Sequence, residues 1–295
     1  MLVSTVSPAE LKPELDHSLV ILGDSRKVLK ELPGDFFQCC VTSPPYWGMR
    51  DYGMEGQIGA EPTVNEYVST LQDIFEEVKR VLRPDGVLWL NIGDVYTSGD
   101  RGYRAPDKKH PVRGMSYRPD TPEGLKPKDL VGVPWRVAFA LQQAGWYLRA
   151  DVIWDKPNAM PESVKDRPTR AHEYIFLFSK NENYYYDHES VQERNGVGLR
   201  NRRTVWHVET YPQKGNHAAP YPVKLVEPPI LAGSRAGDWV LDPFLGSGTT
   251  GVACLEQHRK FVGIELRREY LDIAKNRLWV GPVDYVTFGE VSPID

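Results

Sequence analysis

The sequence predicts an α/β fold with a doubly wound, mostly parallel sheet, and three features predict it. Seven short apolar runs stand out, at residues 19–22, 37–41, 87–91, 147–154, 173–178, 238–241 and 261–264. Several are apolar without interruption, as in strands buried on both faces. Helical patterns lie between many of them, and strands alternating with helices build a parallel sheet covered on both sides. A glycine-rich turn then follows the strand at 238–241 and opens the next helix.

The elements follow in order. After the first strand comes LGDS, where Asp24 suits a helix N-cap. The second strand, FFQCCV, runs into TSPPYWG at 42–48. The two prolines there stop the strand, stay extended and donate no backbone hydrogen bond. The clearest helix follows: Val64, Tyr67, Val68, Leu71, Ile74, Phe75, Val78, Val81 and Leu82 form one apolar face. Thr63 and Glu66 make a capping box at its start. RPDG at 83–86 reads as a turn into the third strand. A helix over 133–144 stops at Gly145, and another begins with Pro222 at its first position. Two more cover 249–257 and 268–279. Residues 96–129, rich in Gly, Pro and basic side chains, and the polar residues 181–219 fit no element; segments this long are usually functional or disordered.

Composition narrows the classes. A chain of 295 residues that is 41% hydrophobic suits one large domain, or one with a substantial insertion. No apolar run is long enough to span a membrane, and the first twenty residues lack the regions of a secretory signal. Three cysteines, two of them adjacent, are not a disulfide framework, so a reducing cytoplasm is expected. No Cys/His spacing indicates zinc, and no metal site is expected. The net charge of −4 does not suggest nucleic acid, yet two basic, aromatic-bearing segments do. One holds Arg101, Arg104, Lys108, Lys109, Arg113 and Arg118 with Tyr103 and Tyr117; the other holds Arg194, Arg200, Arg202, Arg203 and Lys214 near Trp206. Two solvated loops are the alternative reading.

The strand DWVLD leads into PFLGSGTTG, in which Gly246, Gly248 and Gly251 match G-x-G-x-x-G. Glycine serves there where the backbone takes positive φ or a ligand approaches closely. The next strand ends at Glu265, seventeen residues beyond Gly248, where an acid can accept hydrogen bonds from ribose hydroxyls. A nucleoside cofactor fits this pair. A pyrophosphate would be repelled by Asp242, whereas the cationic amino group of a methionine moiety would not. GxxxxGK[ST] is absent.

In TSPPYWG, Ser43 offers a hydroxyl acceptor, the prolines offer carbonyls and Tyr46 offers a flat face. Two acceptors and a ring can hold an exocyclic amine and stack on the base that carries it. A base in duplex DNA must first leave the stack for such chemistry.

TSPPYW together with DPFLGSGTT resembles the S-adenosylmethionine-dependent DNA methyltransferases that methylate amino groups. The catalytic motif precedes the cofactor motif by about two hundred residues, an order similar to the beta group, a circular permutation of the seven-stranded Rossmann-like methyltransferase fold. LGDSRKVLKEL, RPTRAHEYIFLFSK and HAAPYPVKLVEPPI fit it too, so the resemblance spans nearly the whole chain. It implies that residues 1–180 form the catalytic half with a basic loop at about 96–129, that 181–219 hold target recognition, and that 220–295 form the cofactor half.

Members with Ser at the first motif position usually methylate cytosine N4, and those with Asp or Asn adenine N6. Ser43 thus implies a cytosine-N4 enzyme, with adenine N6 the alternative. By the same resemblance, Ser43 and the Pro44 carbonyl hold the target amine, Pro45 shapes the loop, Tyr46 stacks on the flipped base, and Trp47 assists or packs. Asp242, Phe244, Gly246, Gly248 and Thr249 form the cofactor turn, Glu265 binds ribose, and Asp24 lies near the cofactor adenine or caps its helix. Leu245 stands where many members have a small residue and is expected to pack. Double-stranded DNA is the implied substrate, gripped by Arg101, Arg104, Arg113, Arg200, Arg202 and Arg203. The resemblance also leaves room for a cognate restriction endonuclease and a homodimer.

Other classes fit less of the chain. A nicotinamide oxidoreductase would leave TSPPYW unexplained, and a DNA-binding module without activity would leave the glycine turn unexplained. RNA and protein methyltransferases share the fold, but a protein-glutamine methylase would normally carry Asn where Ser43 stands. Cys39 and Cys40 lie within a strand, which argues against cytosine-C5 chemistry.

Overall fold

The computed structural model describes residues 17–54, 56–99, 118–210, 221–278 and 286–290. In chain order the elements are β1 (Ser18–Leu22), α1 (Ser25–Glu31), β2 (Phe37–Thr42), α2 (Val64–Val81), β3 (Leu82–Ile92), α3 (Val133–Gln143), β4 (Tyr147–Asp155) and β5 (His172–Ser179). Then come β6 (Glu193–Asn195), β7 (Gly198–Arg200), β8 (Val205–His207), α4 (Val223–Gly233), β9 (Trp239–Asp242), α5 (Thr249–Glu256), β10 (Lys260–Glu265), α6 (Arg268–Leu278) and β11 (Val286–Glu290).

Among the described residues, nine strands form one sheet in the order β11-β1-β10-β9-β2-β3-β5-β4-β8. The seven strands expected from the sequence are its contiguous middle. All neighbours run parallel except at β5, which is antiparallel to both β3 and β4. Alternation along each central strand divides the core between the two faces. Cys40, Leu88 and Leu90 join α1, α2 and α3 in one cluster, while Cys39, Val41, Val87 and Trp89 join α4, α5 and α6 in the other. Thr63 and Glu66 form the expected capping box on α2, whose buried face includes Tyr67, Leu71, Ile74, Phe75 and Val78. Gly145 follows α3 at φ 86°, where only glycine is unstrained.

Three expectations need correction. RPDG does not turn the chain into β3, because β3 already begins at Leu82. Phe37 pairs with Leu82 and Cys39 with Val87, so residues 83–86 bulge out of the ladder. Arg83 uses the excursion to reach Asp238 on the β9 side, 3.0 Å away. Pro222 caps α4 instead of occupying its first turn. Residues 181–219 are not wholly irregular: β6 and β7 pair as a hairpin, and β8 extends the central sheet beside β4. Trp206 of β8 is buried against Trp89, and the Trp154 indole donates to the Val208 carbonyl at 2.8 Å. No helix among the described residues is long and apolar enough to cross a membrane.

Candidate active site

β9 and β2 lie side by side at the point where the chain leaves in opposite directions, through α5 to β10 and through α2 to β3. The crevice beyond the carboxyl ends of such strands is the general ligand site of open α/β sheets. Here it is a cavity of about 370 Å³. Ser43, Pro44, Pro45 and Tyr46 line one side; Phe244, Gly246, Thr249 and Glu265 line another. Segments two hundred residues apart in the chain thus open into one space.

The loop after β2 is held from behind. The Pro45 carbonyl accepts a hydrogen bond from the Tyr67 hydroxyl of α2 at 2.8 Å. Among the described residues no donor reaches the Pro44 carbonyl, so the two prolines are not equivalent acceptors. Trp47 is 3% exposed and its indole donates to the Glu61 carbonyl, so it packs. Gly59, at φ 91°, lies so close to the loop that a Cβ would meet the Tyr46 carbonyl oxygen at 2.9 Å. Gly93 does the same for the ring: its Cβ would sit 2.6 Å from Tyr46 Cε2.

The Tyr46 hydroxyl is the centre of a polar cluster. It accepts from Ser43 Oγ at 3.2 Å and donates to Glu173 Oε2 at 2.7 Å, with Asn91 Oδ1 a longer 3.2 Å away. Asn91 Nδ2 donates to Glu173 and to the Tyr174 carbonyl, and Lys156 forms an ion pair with the other Glu173 oxygen. Burial raises the Glu173 carboxyl, but Lys156, Tyr46 and Asn91 outweigh it and hold the group below its ordinary range. Burial, with the Glu173 charge beside it, pushes the Tyr46 phenol well up. The cluster depends on the one antiparallel strand. Because β5 runs against its neighbours, its beginning meets the carboxyl ends of β3 and β4: Ile92 pairs with Tyr174, and Trp154 with Glu173.

The glycine turn takes the conformation its residues allow. Gly246 and Gly248 have φ of 54° and 85°, and Gly248 caps α5. Gly246 N–H donates to Glu265 Oε2 and Arg267 N–H to Oε1, both at 2.8 Å, so the acid at the end of β10 is oriented by the turn. Burial pushes the Glu265 carboxyl up to about 7, against the pull of those two donors. Leu245 packs as expected, at 3% exposure, in space left by Gly263 of β10; a Cβ on Gly263 would meet its side chain at 2.5 Å. Arg277 of α6 braces the turn from outside, donating to the Ser247 carbonyl and hydroxyl and to Thr249 Oγ1.

Asp242 corrects the reading from sequence. Its carboxylate is 0% exposed and does not line the cavity, so it does not face an ammonium group there. Oδ1 accepts from Thr42 Oγ1 at 2.6 Å and Phe244 N–H at 3.0 Å; Oδ2 accepts from Thr250 Oγ1 at 2.6 Å and Tyr221 OH at 3.1 Å. Burial raises its pKa, and these hydrogen bonds offset only part of the rise. Its place at a strand end suggests a ligand group; donors from distant segments make it a structural tie.

Of the two readings made of Asp24, the structure shows the helix cap. It caps α1 through Arg26 N–H and lines the cavity. Burial raises its carboxyl, and the Arg26 hydrogen bonds and charge bring it below the ordinary value. Arg101, Arg104 and Arg113 lie outside the described residues. Arg200 and Arg203 share the Glu193 carboxylate, at 2.8 and 2.6 Å, and the Arg202 guanidinium lies over Trp206 at 4.8 Å. All three are on or beside the β6–β7 hairpin, and none is among the residues that line the cavity. Cys39, Cys40 and Cys254 are buried and unpaired, and burial pushes each thiol up.

Sequence reasoning missed Glu173, Lys156, Asn91, Tyr221 and Arg277. The only signal for the first three was a polar residue at the mouth of an otherwise apolar strand, in HEYIFLF, WDK and LWLNI.

Residues 37–276 match the family model described as DNA methylase. The chain is 60% identical over 266 residues to the Type II methyltransferase M.Cfr9I of Citrobacter freundii, covering 90% of this chain and 89% of the relative. It is 58% identical over 271 residues to the Type II methyltransferase M.SmaI of Serratia marcescens, covering 91% and 93%. In fold it is similar to the PvuII DNA methyltransferase (cytosine-N4-specific), with a TM-score of 0.67 at 21% identity over 90% of this chain and 88% of the other. A protein of Thermus thermophilus solved with S-adenosyl-L-methionine gives a TM-score of 0.62 at 23% identity, covering 93% and 100%.

Proposed function

Because the chain belongs to the DNA methylase family and is a DNA methyltransferase, we propose that it methylates cytosine N4 in double-stranded DNA, with S-adenosyl-L-methionine as methyl donor. One observation carries the reading: the Ser43–Tyr46 loop and the glycine turn line the same cavity. For the base, the support is Ser43 itself and the fold shared with an enzyme described as cytosine-N4-specific.

The residues present fit the donor. Glu265, oriented by two backbone N–H groups, keeps acceptor capacity toward the cavity for a pair of ribose hydroxyls. The turn from Phe244 to Thr249 brings backbone close to a ligand without side-chain obstruction at Gly246. Asp24 lies at the same wall. When bound, the donor supplies an electrophilic sulfonium methyl group.

The chain's own residues then do the positioning. Ser43 Oγ and the Pro44 carbonyl accept the two N–H bonds of the target amine and raise the electron density on its nitrogen. Tyr46, backed by Gly93 and lining the cavity, offers its ring to the flipped base. Bound beside the turn, the donor would supply the methyl group to the amine nitrogen, and the proton that nitrogen loses would pass to solvent. Holding the nitrogen in line with the methyl group supplies most of the rate, and no covalent enzyme intermediate is needed.

On this reading residues 1–180 carry the catalytic half, 220–295 the cofactor half and 181–219 the target-recognition segment, with Arg200, Arg202 and Arg203 in or beside its hairpin. The Type II names of the relatives point to a cognate restriction endonuclease as functional partner. Methylation of mixed DNA followed by nucleoside mass spectrometry tests the proposal. N4-methylcytosine is the expected product, and N6-methyladenine would overturn the base assignment.

A further inference from the structure

The Ser43 hydroxyl can in principle point its proton two ways. Aimed into the cavity, it would donate to a ring nitrogen of the base. Aimed away, it presents only lone pairs and accepts from an amine. The target bases carry both groups side by side, so the direction of one hydroxyl decides which edge is held.

The structure removes the freedom through a chain of hydrogen bonds. Glu173 receives Lys156 on one oxygen and Asn91 Nδ2 on the other, at 3.3 Å, so it acts as an acceptor. The Tyr46 hydroxyl, 2.7 Å from Glu173 Oε2, gives its single proton to that carboxylate. Its oxygen then accepts the Ser43 proton at 3.2 Å. With its proton committed, Ser43 Oγ faces the cavity as an acceptor only. The Asn91 orientation is fixed independently, because its amide nitrogen serves two acceptors, Glu173 and the Tyr174 carbonyl.

We infer that Glu173 is a positioning residue: acting through the Tyr46 hydroxyl, it sets Ser43 as a pure acceptor for the N–H of the target amine. The inference rests on the proposed placement of that amine at Ser43. It assigns to the beginning of β5 a role that neither motif contains. It also gives Tyr46 a second function besides stacking, and one that phenylalanine would not supply.

The test is a double-mutant cycle read by single-turnover transfer of labelled methyl groups to unmethylated DNA. Glu173→Gln and Tyr46→Phe should each slow transfer about ten- to a hundredfold, the scale of a hydrogen bond to a charged group. The affinity for S-adenosylhomocysteine should stay within about twofold in each, since both residues act on the amine and not on the turn. Adding Glu173→Gln to Ser43→Ala, or to Tyr46→Phe, should cost little further rate. Tyr46→Phe leaves the Lys156–Glu173 ion pair in place, so it tests the relay while the buried charge stays paired. Wild-type rate in Glu173→Gln would overturn the inference, and so would losses that multiply in the double variants, which would mean that Glu173 acts without Ser43. An inactive wild-type protein would instead sink the functional reading, and this inference with it.

Discussion

The Thr42 hydroxyl donates a 2.6 Å hydrogen bond to Asp242 Oδ1, joining the last residue of β2 to the last residue of β9. The catalytic loop begins one residue after the first, and the glycine turn begins after the second. Beyond the β2–β9 ladder, one buried side-chain contact therefore ties together the two strand ends from which they start.

Removing that contact should loosen both sides of the cavity. Asp242→Asn places an amide donor against hydroxyl and N–H donors, and should lower stability by about 2–4 kcal/mol. Thr42→Val removes one donor only and should cost about 1 kcal/mol. Urea denaturation, with S-adenosylhomocysteine titration of the folded variants, measures both. Equal stability in Asp242→Asn would show that the tie is unimportant.

Cofactor affinity should fall in acid through Glu265. Burial holds this carboxyl at about 7 in the free protein. Ribose hydroxyls donate to its charged form, so binding draws the pKa down and releases a proton. Affinity is then full above about pH 7 and weakens as pH falls below it. Calorimetry in buffers of different ionisation enthalpy reads the proton release directly. Glu265→Gln should bind more weakly and lose this pH dependence.

Ser43→Ala should separate chemistry from binding. Turnover should fall by about 10²-fold or more, while S-adenosylhomocysteine binds nearly as before. Abolished cofactor binding would contradict the assigned role.

Leu245 and Gly263 should behave as a complementary pair. Gly263→Ala drives a methyl group into Leu245 and should destabilise by about 1–3 kcal/mol. Adding Leu245→Ala should recover part of that loss, because it opens the space the methyl needs. Additive losses in a thermal-melting cycle would count against the pairing.

Gly93→Ala should act on the base platform. The new Cβ would stand 2.6 Å from Tyr46 Cε2, so the ring must shift. The expected signature is a lower single-turnover rate with little change in cofactor affinity. An unchanged rate would mean that the ring's position is not critical.

Much of this was legible before the structure. The continuous apolar runs marked the strands, because a strand covered on both faces has no polar side to show. Gly246 and Gly248 marked the turn, because few other residues accept their φ values. Ser43, Pro44 and Tyr46 marked a candidate amine-binding loop by their chemistry, and the family resemblance gave it that reading; the structure puts all three on the cavity. The failures also have physical causes. RPDG has turn composition, yet it forms a bulge inside β3, between the pairs Phe37–Leu82 and Cys39–Val87. β8 is a three-residue strand in a polar segment, too short for any period to show.

The sequence by itself determined the local chemistry: where the backbone is rigid, where it must turn left-handed, and which side chains stand at strand ends. Those properties depend on a residue and its near neighbours. Only the tertiary structure decided which way the strand-end groups face. Asp242 turned inward because Thr42, Thr250 and Tyr221 converge on it from distant segments. Glu173 reached the Tyr46 hydroxyl because β5 runs antiparallel and begins where its neighbours end. Strand order and direction are set by contacts far apart in the chain, and no local pattern records them.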